Sequence, residues 1–155
     1  MTNALLDLMD EAFDRRSWHG TNLRGSIRGL TPAVAAWRPA PDRHNIWELV
    51  VHAAYWKYEV RRRLTGAKRG GFALSGRNFW PRPQEGTPAE WKDDVALLVR
   101  EHAALRTLVA AIPTRKLGER APNDRFTYAG VIRGIAAHDL YHAGQIQLLK
   151  AMVVN

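Results

Sequence analysis

Two histidines four residues apart, His138 and His142, fall on the apolar stripe of a long helical pattern, AAHDLYHAGQIQLL, and a third, His52, falls on the stripe of another, NIWELVVHAAYW. Histidines at i and i+4 project from one face of a helix, about 6 Å apart along its axis. An apolar stripe must be covered, so the rings it carries are taken inside with it, where an imidazole needs a hydrogen bond or a metal. A third histidine on a facing helix can complete a cup of three nitrogens. Three protein ligands leave coordination positions open, which a catalytic metal site requires and a structural one avoids.

The 3.6-residue period predicts four helices. The first runs from about Asn3 to Leu30, through Leu5, Met9, Ala12, His19, Leu23 and Ile27, although Gly20 and Gly25 weaken it. Thr31-Pro32 opens a short turn through Ala36, which Pro39 and Pro41 end. The second helix starts at Asn45 as N-cap with Glu48 as capping-box partner, carries Ile46, Leu49, His52, Trp56 and Val60, and fades at Thr65-Gly66. Thr87-Pro88-Ala89-Glu90 starts the third, which carries Trp91, Val95, Leu98, His102, Leu105, Val109 and Ile112 up to Pro113. The fourth starts near Thr127 and carries Val131, Ile135, His138, His142, Ile146 and Leu149. Residues 66–86 are a Gly/Pro-rich loop of a length associated with lids and binding loops, which Phe72, Phe79 and Trp80 tuck onto the helices. No strand pattern competes. The expectation is an all-α chain, a four-helix bundle, as one domain over residues 1–155.

Each helix interrupts its stripe near the middle: Arg16 and His19 in the first, His52 in the second, His102 in the third, His138 and His142 in the fourth. Five of the six histidines thus read as inward-facing at one level, which points to a polar cavity in the core. Spacing leaves alternatives open. His52, His138 and His142 read equally as metal ligands or as hydrogen-bonded core residues. His19 and His102 read first as core or boundary residues, with substrate contact for His19 and proton transfer for His102 as the functional alternatives. Glu48, one turn before His52, suits a general base or an orienter of that ring, and its capping role explains it as well. Gln145, one turn after His142, lines the expected cavity. Arg16 and the loop cations Lys68, Arg69, Arg77 and Arg82 are candidates to bind substrate carboxylates. His44 reads as a surface residue, Asp139 as facing solvent or an interface, and Trp47, Trp56 and Trp91 as core.

The chain has no cysteine, which excludes disulfides, zinc–thiolate sites and a cysteine nucleophile. Any metal is held by His, Asp or Glu, and any thiol in the chemistry arrives on a small molecule. Three imidazoles suit zinc, nickel, iron and copper alike. The net charge of +8 comes from 18 arginines and 5 lysines against 15 acidic residues, spread along the whole chain. It supports a second function class, a basic surface for nucleic acid or another acidic partner. That reading is carried by RRRLTGAKRGG, Arg77 and Arg82, with Phe79 and Trp80 for base stacking. Against it, no helix-turn-helix or zinc-finger pattern is present. No apolar run approaches the roughly 20 residues of a membrane span. Asp7, Asp10, Glu11 and Asp14 exclude a signal-peptide reading of the first fifteen residues, so a cytoplasmic location is expected.

IWELVVHAAYW followed much later by HDLYHAGQIQLL, with TPAEWKDDVALLVREHAALR between them, resembles the DinB/YfiT-like superfamily of metalloenzymes over about residues 5–150. The H-x3-H-x-G-Q-I ending is the more specific part; the rest is mostly apolar patterning. The resemblance implies a four-helix bundle of up-down-down-up connectivity. It implies a divalent ion (nickel, zinc or iron) held by three histidines, which by motif position are His52, His138 and His142. It further implies a homodimer and, from characterised relatives, thiol transfer with bacillithiol or mycothiol or a mycothiol-dependent maleylpyruvate isomerisation. The expected function is therefore a metal-dependent enzyme acting on a small molecule, such as a low-molecular-weight thiol S-transferase, or as a variant a metal-dependent hydrolase.

Overall fold

The computed structural model describes residues 2–76 and 78–153, so the loop cation Arg77 lies outside the described residues. Among the described residues the chain is all-helical, with no strand. The helices are α1 (Thr2–Phe13), α2 (Leu23–Ile27), α3 (Pro32–Ala36), α4 (Ile46–Thr65), α5 (Pro88–Ala111) and α6 (Tyr128–Val153). None of them is long and apolar enough to cross a membrane.

Side chains at the boundaries set most of these elements. The Asn45 side chain accepts the Glu48 N–H at 2.8 Å to start α4, and Gly66 ends it in the left-handed region at φ 76°. Thr87 and Glu90 exchange bonds in a full capping box ahead of Pro88 to start α5. Thr31 caps α3 with Pro32 behind it. The expected box at Asn45 is only half made, because the Glu48 carboxylate is bonded to Arg38 and His44 instead.

The first expected helix is a correction. It stops at Phe13 rather than near Leu30. Gly20 sits at φ 103°, and Asn22 both donates to the Arg15 carbonyl and caps the new helix α2 through Gly25 N–H. The apolar spacing persists past the break because Leu23 and Ile27 of α2 are themselves buried. Arg16 and His19 consequently lie in an exposed connection and not in the interior.

Two apolar clusters form the core. One gathers Trp47, Leu49, Val50, Trp91, Leu98 and Ile146, and the other Leu5, Met9, Val60, Leu105, Val109 and Ile132. Trp47 and Trp91 are buried as expected, and Trp56 packs against both clusters. On each of the three longest helices a polar residue separates the clusters: Lys57 on α4, His102 on α5 and Asp139 on α6. Lys57 and Asp139 form an ion pair with both side chains about 1–2 % exposed. Burial pushes the Lys57 ammonium down and the Asp139 carboxyl up, and the partner's opposite charge works against each shift. Asp139 therefore does not face solvent. The spacing Ile135, Asp139, His142, Ile146 centres the buried face of α6 on Asp139 and leaves His138 at its half-buried edge.

The three arginines that open the basic run are paired within the chain. Arg61 bonds Glu101, Arg62 bonds Glu59, and Arg63 bonds Glu59 and Asp124. Arg82 bonds Asp94, Trp80 is buried, and Phe79 is stacked between rings.

Candidate metal centre

His52 comes from the buried face of α4, and His138 and His142 from successive turns of α6. Their Nε2 atoms converge: His52 to His138 at 3.2 Å and His142 to His138 at 3.1 Å. One ligand atom from each of the three rings lies within 4.8 Å of the others. Two nitrogens held at 2.0–2.1 Å from one tetrahedral ion are about 3.3 Å apart, which is close to the two separations from His138.

The protonation states point the same way. Burial pushes His52 down to about 4 and His138 down to about 3, and lowers His142 against an opposing bond from Gln145. Each neutral ring then carries one N–H. His52 Nδ1 lies 2.7 Å from the Asn78 carbonyl, which only accepts, so its proton is on Nδ1. His142 Nδ1 lies 2.6 Å from Gln145 Oε1, with the same consequence. Both Nε2 atoms therefore present lone pairs. His138 Nε2 can donate to one of them at most, and His138 Nδ1 is buried with no partner. Hydrogen bonds alone leave this cluster unsatisfied, whereas a divalent cation matches its lone pairs. The donor set fits such an ion.

The 66–86 loop closes one side as expected, with Phe72, Phe79 and Trp80 packed on the core. Asn78 adopts φ 72°, turning its carbonyl to His52 while its side chain accepts the Trp56 indole N–H at 3.2 Å. Phe79 stacks on His52 with centroids 4.1 Å apart. The cup lies at the wall of a cavity of about 670 Å³, otherwise lined mainly by apolar groups including Leu49, Trp56, Phe79, Leu148 and Met152.

Gln145 lines this cavity, as expected, and bonds His142. Glu48 is buried with its carboxylate on Arg38 and His44, outside the lining. His102 is buried against Phe13, rings 3.6 Å apart, and also lies outside the lining. Arg16 and His19 are exposed and do not line it. Arg43 and His44 do line it, though the sequence reading did not place them there. The one signal for part of the wall was a second stripe on α6, Tyr141, Gln145, Leu148 and Met152, at spacings of four, three and four beside the buried one.

An all-helical chain with three inward imidazoles on two helices defines a class of candidate metalloproteins. Residues 15–146 match the family model of the DinB superfamily, and the chain belongs to that family. No curated protein and no solved structure matches it.

Proposed function

We propose that the protein is a divalent-metal-dependent enzyme acting on a small molecule, in the first instance a low-molecular-weight thiol S-transferase, with His52, His138 and His142 as the ligands of zinc, nickel or iron. One observation carries the reading: three imidazole Nε2 atoms, two fixed as lone-pair donors from behind, meet at the wall of an open apolar cavity. A divalent ion there supplies Lewis acidity, which brings the pKa of a thiol or water toward about 7. The chain's residues do the rest. The Asn78 carbonyl and Gln145 hold the tautomers of His52 and His142. Leu49, Trp56 and Phe79 hold an apolar electrophile and exclude water. Arg43, in the cavity lining, takes the carboxylate-binding role for which the sequence suggested Arg16 and the loop cations.

The proposal includes a bundle of α1, α4, α5 and α6 in up-down-down-up order and a homodimer. The bundle order is supported by four contacts. Trp47 meets Trp91 at the starts of α4 and α5, Arg63 near the end of α4 meets Asp124 ahead of α6, and Asp10 and Phe13 of α1 meet Arg106 and His102 of α5. The homodimer is supported by the exposed apolar groups Tyr141, Leu148 and Met152 along α6, and sedimentation velocity tests it.

Elemental mass spectrometry of tag-free wild type and His142→Ala tests the site. Near-stoichiometric metal that is absent from the variant supports it. A wild type that takes up none of zinc, nickel or iron on reconstitution overturns it. Cysteamine with chlorodinitrobenzene, and separately nitrophenyl acetate, then distinguishes thiol transfer from hydrolysis.

A further inference from the structure

The cavity wall carries a second arrangement besides the three-histidine cup, and its interpretation rests on the function proposed above. His44 lies in the turn before α4, half-exposed, and is one of the residues that line the cavity. Its Nδ1 is 3.0 Å from Glu48 Oε2. Glu48 is buried and clamped from its other side by Arg38, Nη2 to Oε1 at 2.6 Å and Nη1 to Oε2 at 3.3 Å. The same guanidinium donates to the Arg43 carbonyl, which ties down the backbone that carries His44. Burial works to raise the Glu48 carboxyl, but the bonds from Arg38 and His44 outweigh it and hold it below the usual carboxylate range. A carboxylate only accepts, so the proton between the two residues sits on His44 Nδ1.

The ring is fixed on its face as well. His44 stacks on Phe79 at 3.6 Å and 5°, and Phe79 stacks on His52 at 4.1 Å and 12°. Two rings this close and this parallel to a third occupy its opposite faces, so Phe79 is sandwiched between His44 and His52. An imidazole held at one nitrogen by an ionised carboxylate, clamped on its face and facing a cavity, has the geometry of an oriented general base.

We infer that His44 is the proton carrier of this cavity and that Glu48, itself held by Arg38, is its positioning residue. In thiol transfer the sulfur forms its bond to the electrophilic carbon while its proton passes to His44 Nε2. The leaving group departs with the electron pair of the bond that breaks, and the imidazolium returns the proton to that group or to water. The charged or titratable groups around His44 are Glu48 and His52 from α4, His142 from α6, and Arg38 and Arg43 from the preceding segment, where Arg43 also pairs with Asp42. The role assigned to Glu48 is thus indirect, and the ring that touches substrate is one that the sequence pattern placed at the surface.

The test uses zinc-loaded full-length protein as wild type, His44→Phe and Glu48→Gln, with cysteamine and chlorodinitrobenzene as probes. Long-range proton–nitrogen NMR is expected to show His44 as the Nδ1–H tautomer in wild type and a tautomer mixture in Glu48→Gln. All three proteins should hold equal zinc. His44→Phe, which keeps the stack on Phe79, should lower kcat about 100-fold with little change in KM. Glu48→Gln should lower kcat less. A wild-type rate in His44→Phe at full zinc occupancy, or an Nε2–H tautomer in wild type, overturns the inference and leaves the metal site standing. A wild type that binds no zinc overturns the proposed function instead. Zinc-loaded wild type inert toward the probes overturns both.

Discussion

Four histidines are withdrawn from solvent in this protein, and they occupy two kinds of surroundings. His102 lies between the two apolar clusters, its ring flat on Phe13 and its Nδ1 without a partner. His52, His138 and His142 meet at the cavity wall. Burial alone does not separate them, since it pushes both His102 and His138 down to about 3. An unpartnered nitrogen does not separate them either, because both rings have one. What differs is convergence and access. Three imidazole nitrogens lie within 4.8 Å of one another beside a cavity open to a ligand, whereas His102 has no second imidazole and packs against a closed core. A perturbed histidine marks an energetic cost, and only the geometry around it shows whether that cost has a use.

The strongest way to break this contrast is on metal uptake. His138→Ala is expected to abolish zinc binding measured by calorimetry, while His102→Ala retains it. Loss of zinc in both would mean that the two surroundings act as one site. Next in size is the buried pair beside them. Lys57→Met leaves Asp139 uncompensated and should lower the stability of the metal-free protein by about 3–5 kcal/mol in urea unfolding, with much of it recovered in Lys57→Met/Asp139→Leu.

A smaller effect separates the closed ring by pH. His102 titrates near 6.5 when unfolded and near 3 when folded, so between these values the unfolded chain binds the extra proton. Its neutral, buried form contributes fully above about pH 6.5, and that contribution falls away as pH drops toward about 3. His102→Phe should therefore flatten the decline in urea midpoint between about pH 7 and 5. An unchanged slope would show that His102 is not buried as a neutral ring. The smallest effect sharpens the open site. Gln145→Leu removes the acceptor behind His142 and should weaken zinc affinity about 10–100-fold with little change in metal-free stability.

Much of the helical layout was legible in the sequence because its signals are local. Asn45, Thr31 and Thr87 cap helices where their side chains reach a backbone N–H three residues on. The Gly/Pro-rich 66–86 stretch forms the loop expected of it. The first helix misled for a physical reason: apolar spacing reports burial and not continuity, and α2 resumes the stripe after Asn22 redirects the chain. Asp139 misled differently. It lies beside the stripe drawn through Ile135, His138, His142 and Ile146, and so reads as turned outward, whereas the buried face is centred on Asp139 itself, opposite Lys57 at the matching position between Ala53 and Val60 on α4.

The site divides along the same line. A 3.6-residue period and an i, i+4 pair suffice to put His138 and His142 on one face, because both act within a single turn of one helix. They also set His52 on a stripe that must be buried. The rest depends on contacts that no local pattern encodes. His52 reaches its carbonyl partner 26 residues away and His138 86 residues away. The sandwich of His44, Phe79 and His52 exists only once the loop is folded back. Helix periodicity fixes which face a side chain takes, while tautomer, convergence and access are set by atoms distant in the chain that only packing brings within hydrogen-bonding range.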